Sequence, residues 1–414
     1  MIPVYSKTGR LAPFRAGYLA VMAALVGAIL ALAAPVEAAP KLGIVKVAVA
    51  EQPTSLASPP GYPRIMFVTQ REGKLRAIYQ GRMLPKPLLD LTRQIDPLRI
   101  ERGLLGLAFA PDFRKSGRFY LNHTNRSGDS VVVEYRSKIG KPLQVIPASR
   151  RLVMRIPRVN ENGNHNGGHL AFFGNLLYIS IGDGFDPGDL PDNAQNTESL
   201  RGKILRIDPL PDPVSGGAYR IPAGNPFVGA PGRDEVFAFG FRNPYSFSFF
   251  RDETGRQMIT ISDVGQGRFE ELNVLPLAEA RGANFGWNDY EGFEPYNCGE
   301  LYCPNGMNPT ATSGLTWPQL VYTHDDGCAI IGGPLIADPS LTLVKGRIIY
   351  GDFCGNRIRT AEPHNPTILD DRPAGFYLPP GKGRHSALNG FGTDGFKRVY
   401  AFSHFGGIYR IVQR

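Results

Sequence analysis

The sequence predicts an all-β fold, a six-bladed β-propeller of four-stranded antiparallel sheets with long loops on one rim. Three observations predict it. Short alternating apolar strands, each followed by Gly or Asp turn chemistry, recur six times along the chain. The copies lie roughly 50 to 90 residues apart, too far and too irregularly for a β-helix. Gly (49) and Pro (36) are abundant while long helical periodicity is scarce, which argues against helical layers between the strands. Sheets this small bury both faces best by radial stacking, which favours a propeller over the alternative, a large sandwich.

The chain opens with Lys7, Arg10 and Arg15, an apolar stretch from about Ala16 to Ala34, and the ending Val36-Glu37-Ala38. A basic region, an apolar region and a small-x-small ending form a secretory signal. The apolar stretch is long enough to span a bilayer, so a retained anchor is the alternative. The expected division is a signal over residues 1–38 and one propeller domain over 39–414, periplasmic or secreted, with no stable membrane insertion after cleavage. The six strand units then follow in order. They are Arg64–Tyr79, Gly117–Thr124, Asn175–Gly184, Arg256–Gly267, Gly346–Ile358 and Arg398–Ile411. Two inserts interrupt them, Gly182–Leu205 and Trp287–Trp317. Rim loops of this kind are where sites are built.

Loss of the leader's three basic residues and one acidic residue takes the net charge from +9 to +7. The basic residues are scattered, so no nucleic-acid partner is expected. An apolar content of 42% excludes general disorder. Cys298, Cys303, Cys328 and Cys354 all lie in the last third. Behind an export signal they read as two disulfides, Cys298–Cys303 and Cys328–Cys354, with a metal site as the rival.

Three segments could carry chemistry. Asn160–Leu170 places His165 among Asn and Gly just before a strand, where a histidine could act as a base or cap loop carbonyls. Phe239–Phe249 sets Arg242 and Asn243 before Pro244 among aromatics. An arginine there needs an anionic partner, either a ligand or an acidic residue of the fold. Ser262–Asn273 joins a Gly-rich turn to Glu270 and Glu271, a set that suits Ca²⁺ or a solvated loop. The acidic run Asp183, Asp186, Asp189 and Asp192 reads as a polar loop, with Ca²⁺ as the alternative. There is no GxGxxG cofactor fold, and Walker, HExxH and GxSxG patterns are absent.

In order, Glu101–Phe113, Asn164–Phe172, YISIGDG with RGKILRIDP, AFGFRNPYSFSF, DVGQGRFEELN, Asn284–Gly292 and IYGDFCGNRI resemble the glucose/sorbosone dehydrogenase family of soluble quinoproteins. The resemblance covers nearly all of the chain after the leader. It implies pyrroloquinoline quinone (PQQ) on the propeller axis, held by Ca²⁺, and oxidation of an aldose to its lactone. Electrons would then pass to an external quinone or cytochrome. By resemblance His165 is the base, and Arg242 and Asn243 contact the quinone oxygens, with Arg242 stabilising charge on the reduced ring. Gly265 and Gln266 give carbonyls to the cofactor Ca²⁺, and Glu271 binds a second Ca²⁺. Glu101 and Asn164 face the cofactor, while Arg357 and Arg384 stand nearest to the family's basic contacts. Asn164 occupies a place where the family often has an acidic residue, so no adjacent carboxylate is expected to orient His165. GDFCGNRI and the cysteine placement also resemble the Hedgehog-interacting proteins. These keep the propeller without established sugar oxidation, so the alternative function is a non-catalytic carbohydrate- or protein-binding propeller. A propeller hydrolase would need axial side-chain carboxylates around a metal, and no such set is evident.

Overall fold

Each of the six recurring units supplies the second strand of a four-stranded sheet or, for the first and last units, of one half of a larger sheet. These strands are Ile65–Gln70, Arg118–Thr124, Leu176–Ile181, Gln257–Asp263, Ile348–Asp352 and Val399–Ser403. The computed structural model describes residues 41–414 except 98, 100, 160–162, 185–186, 297–313, 356, 364–369 and 380–386. Leu42–Arg414 forms one compact unit. Among the described residues the helices are two single turns, Phe113–Ser116 and Leu277–Ala280, as the all-β expectation requires. No described helix is long and apolar enough to cross a membrane. The proposed signal lies outside the described residues.

Four sheets have four antiparallel strands each. One runs Leu104–Phe109, Arg118–Thr124, Ser130–Lys138, Lys141–Ile156, and the next Leu170–Phe173, Leu176–Ile181, Lys203–Ile207, Val236–Phe239. The third runs Pro244–Arg251, Gln257–Asp263, Phe269–Pro276, Leu320–Thr323, and the fourth Ile330–Leu335, Ile348–Asp352, Arg357–Ala361, Asp371–Tyr377. Apart from a two-stranded hairpin, Tyr290–Glu291 with Glu294–Pro295, a nine-stranded sheet holds the rest. Its halves meet through one parallel pair, Ala57 with Thr393. On one side stand Pro53–Ala57, Ile65–Gln70 and Lys74–Tyr79 with two short strands. On the other, Leu388–Thr393, Val399–Ser403 and Gly407–Gln413 are completed by the N-terminal strand Leu42–Val49.

Alternation along a strand explains why these sheets stack. Ile65 and Phe67 enter one core, with Leu107, Phe119 and Val133 of the following sheet. Met66 and Val68 enter another, with Tyr400, Phe402 and Ile408. The same division recurs at Ile348 and Tyr350 against Ile349. Each core is therefore shared by two neighbouring sheets, and the second strands are buried on both faces. Full burial of each such side chain is worth roughly 1.5–3 kcal/mol over exposure. The result is a β-propeller whose first strands, Leu104–Phe109 and its counterparts, face a common cavity.

Cys328 and Cys354 form a disulfide, as their position suggested. It joins the residues before Ile330–Leu335 to those after Ile348–Asp352. Cys298 and Cys303 lie outside the described residues.

Candidate functional site

The loop before Leu170–Phe173 carries His165 in the left-handed region, at φ 52°. A histidine seldom adopts this backbone, and the surrounding contacts hold it there. Gly182 makes room for it, since a Cβ at that position would lie 2.2 Å from the His165 carbonyl oxygen. His165 is buried, and its Nδ1 lies 2.6 Å from Oδ1 of fully buried Asp183. The other oxygen of Asp183 accepts a hydrogen bond from Trp287 Nε1 at 2.8 Å. Two sequence expectations are corrected here. Asp183 belongs to no solvated polar loop, and His165 does meet a carboxylate. It comes from the end of the adjacent strand, Leu176–Ile181, and not from the preceding residue.

The Arg242–Asn243 corner is fixed from behind. Both backbone N–H groups donate to Asp263, at 2.9 and 2.7 Å. The Arg242 carbonyl accepts from the backbone of Asp183 at 2.8 Å, which ties this corner to the histidine's partner. The guanidinium donates through Nη1 to the Val264 carbonyl and through Nε and Nη2 to Gln266 Oε1. It also lies 5.8 Å from the Trp287 ring. Asn243 accepts from Gly167 N–H at 3.0 Å and donates to Glu101 Oε2 at 3.4 Å. The same Glu101 oxygen accepts from His165 N–H at 2.5 Å. Glu101, His165, Asp183, Arg242 and Asn243 thus form one connected network. It borders a cavity of about 160 Å³ lined by Glu101, Asn166, Gly167 and Asn243, with Arg71, Tyr245, Phe353 and His404 among the other walls.

Beside Arg242 the chain turns through Gly265 and Gln266 into Phe269–Pro276. Glu271 and Asp263 pair across these two strands, and both are buried. Burial, then the negative charges of Asp263 and Glu291, push the Glu271 carboxyl well above its ordinary range. Asp263 is pushed up to about 7, chiefly by burial, against its two N–H donors. A divalent cation would relieve this crowding of oxygens, although among the described residues no three of these carboxylates converge closely enough to hold one by themselves. A second acidic loop handles its charge differently. Lys203, fully buried, donates through Nζ to the carbonyls of Asn193, Ala194 and Arg201 at 2.6–2.9 Å. Asp189 accepts from the N–H groups of Asn193 and Ala194. An internal ammonium thus occupies the middle of the insert that sequence alone left open to Ca²⁺. Asp186 of the same run lies outside the described residues.

Of the nominated residues Glu101 and Asn243 line the cavity, while His165 and Arg242 belong to the network behind it and are not among its lining residues. Arg357 is exposed on the third strand of its sheet and pairs with Asp326 at 3.5 Å. A third strand stands away from the axis, so it does not line this cavity. Arg384 lies outside the described residues. Asn164 sits half-buried beside His165. The sequence reading named Asp183 only as a loop acid and missed its pairing with His165, along with Trp287 and the wall residues Arg71, Tyr245, Phe353 and His404. A usable signal existed for the walls, because several lie near the ends of the strands that begin or follow each recurring unit.

Comparison with known proteins fits this geometry. The glucose/sorbosone dehydrogenase family model matches residues 50–364. The HIPL2 protein of Arabidopsis thaliana is 29% identical over 401 residues, covering 79% of this chain and 55% of that protein. The aldose sugar dehydrogenase YliI of Escherichia coli is 27% identical over 248 residues, covering 57% of this chain and 61% of that protein. This chain spans about half the length of the first curated relatives it matches. Among solved structures, the soluble aldose sugar dehydrogenase of E. coli in its apo form superposes with a TM-score of 0.70 at 21% identity, over 90% of this chain and 100% of that one. The PQQ-bound aldose sugar dehydrogenase of Streptomyces coelicolor gives 0.64 at 24% identity, over 91% and 99%. At these identities the superpositions speak for the fold.

Proposed function

The chain belongs to the glucose/sorbosone dehydrogenase family, and from that premise we propose that it oxidises aldose sugars to lactones with PQQ and Ca²⁺. We place the reaction at the axial cavity of a propeller read as six-bladed, counting the two halves of the nine-stranded sheet separately. The observation that carries this reading is the network joining His165 and its carboxylate to Arg242 and, through Asn243 and Glu101, to the cavity wall.

When bound, PQQ supplies the two-electron acceptor for the hydride of the anomeric carbon, and Ca²⁺ acts on it as a Lewis acid. The chain's own residues do the rest. His165 takes the proton of the anomeric hydroxyl, and Asp183 steadies the imidazolium that results. Arg242, immobilised by Val264 and Gln266, presents a fixed positive charge to the reduced cofactor. Asn243 and Glu101 hold the His165 loop in register with that charge. Gly265, Gln266 and Glu271 would hold calcium. Export to the periplasm or beyond, with a quinone or cytochrome as electron acceptor, completes the reading.

A second reading, a binding propeller without catalysis, is supported by the match to the Hedgehog-interacting protein of Mus musculus, 27% identical over 381 residues. One experiment separates the two. Purified protein is given PQQ and Ca²⁺, and dye reduction is followed with several aldoses. We expect cofactor-dependent reduction, lost in His165→Ala while the absorbance of bound PQQ persists. Absence of both reduction and bound PQQ in the unmodified protein would falsify the enzymatic reading.

A further inference from the structure

The calcium reading above nominates two backbone carbonyls, those of Gly265 and Gln266, and something must aim them. The short hairpin of Tyr290–Glu291 and Glu294–Pro295 stands against this loop. Glu291 is buried at 5% exposure. Its Oε1 accepts the backbone N–H groups of Gln266 at 2.7 Å, Gly267 at 2.8 Å, Arg268 at 3.0 Å and Phe269 at 3.3 Å. Successive N–H groups converging on one anion form a backbone nest, here filled by the protein's own carboxylate.

The geometry of a trans peptide turns this nest into a statement about the carbonyls. Within one peptide plane the N–H and the preceding C=O point in opposite directions. The Gln266 N–H aimed at Glu291 therefore turns the Gly265 carbonyl away from it. The Gly267 N–H does the same for the Gln266 carbonyl. The fit is tight, since a Cβ on Gly265 would fall 1.7 Å from the Phe269 carbonyl oxygen and 2.8 Å from Glu291 Oε1. An anion at the N–H end of a peptide also polarises its carbonyl end, which makes that oxygen a stronger ligand.

We propose that Glu291 is the positioning residue that presets the Gly265–Gln266 carbonyls for a calcium ion. The role rests on the calcium reading of this loop. It differs from a mere anchor for the hairpin, which is also attached by the ion pair of Arg268 with Glu294 and by the Gly292 N–H that donates to Glu271 Oε1 at 2.7 Å.

The test is a Ca²⁺ titration of metal-free, full-length protein by calorimetry, with melting temperature recorded in the presence and absence of Ca²⁺. Glu291→Gln should weaken Ca²⁺ binding by roughly tenfold or more, the usual effect of losing an outer-shell partner. It should also lose most of the Ca²⁺-dependent rise in melting temperature. Arg268→Ala, which breaks another of the hairpin's attachments, should keep the original affinity. Glu291→Gln that binds Ca²⁺ as tightly as the unmodified protein overturns the assignment. So does equal weakening by Arg268→Ala, which would mark the hairpin as a general support. If Glu291→Gln does not fold, Glu291→Asp keeps the charge and shortens the reach, and unchanged affinity there is equally fatal. Unmodified protein that binds no Ca²⁺ refutes the calcium reading itself, a result distinct from failure of the Glu291 role.

Discussion

Replacing Asp183 by Asn tests the proposed chemistry most directly. Asp183 Oδ1 lies 2.6 Å from His165 Nδ1, and Oδ2 accepts the Trp287 N–H at 2.8 Å. The tryptophan can only donate, so the Asn oxygen must stay on its side. The Asn NH₂ then faces His165 Nδ1 and donates to it. That forces the ring proton onto Nε2, the atom that should receive the substrate proton. Loss of a buried hydrogen bond to a charged group costs about 1.5–3 kcal/mol, or roughly 10- to 150-fold in rate. The wrong tautomer adds to this, and comparable Asp-to-Asn changes behind a catalytic histidine reach about 10⁴-fold. We therefore expect kcat to fall at least about 100-fold, with PQQ binding near that of the unmodified protein. Dye-linked sugar oxidation at saturating PQQ measures the first, and cofactor absorbance the second. Asp183→Asn turning over at the original rate would refute the role of the pair.

Two further predictions concern stability. Lys203→Met removes the ammonium that three carbonyls accept and leaves them unsatisfied in a buried loop, at about 1–3 kcal/mol each. We expect a urea midpoint lower by the equivalent of about 3 kcal/mol or more with an unchanged m-value; an unshifted midpoint would show that the loop does not depend on this cation. His123 is buried at 1% exposure, both ring nitrogens lack hydrogen-bond partners among the described residues, and burial pushes it down to about 4. Between pH 6.5 and about 4 the unfolded chain holds the extra proton, so stability falls as pH falls through that window, by about 3 kcal/mol. His123→Leu should flatten that part of the stability–pH curve measured by urea unfolding. An identical slope in both proteins would mean that the ring protonates in place.

The second strands were legible in the sequence because each is buried on both faces. Strands such as Leu176–Ile181 and Ile348–Asp352 therefore read as apolar runs ended by Gly or Asp turns. First strands were harder to see. Ile330–Leu335 carries Gly332 and Gly333 where its neighbours Ser246 and Ile349 leave no room for side chains, so its pattern is broken. The long outer strand Lys141–Ile156 alternates poorly because much of it meets solvent and its register shifts three times. At the site, His165 and Arg242 stood out as costly residue types in glycine- and aromatic-rich settings. Asp183 did not, because an acid in an Asp/Gly/Pro-rich stretch looks like any solvated loop until folding brings it against a histidine 18 positions earlier. Glu291 was equally silent, since four N–H groups converging on one oxygen leave no mark on composition.

The pairing of Leu42–Val49 with Gly407–Gln413 also sets an order of events. The first strand of the described chain has no ladder partner until the last has been made. A chain interrupted anywhere before Gly407 therefore carries an open edge at both ends of what should be a closed ring. Closing so long a loop costs about 5 kcal/mol of chain entropy, recovered only when the strand and the core around Ile408 and Phe402 form together. The ring is sealed by its two most distant segments, and everything between them must already be present when it shuts.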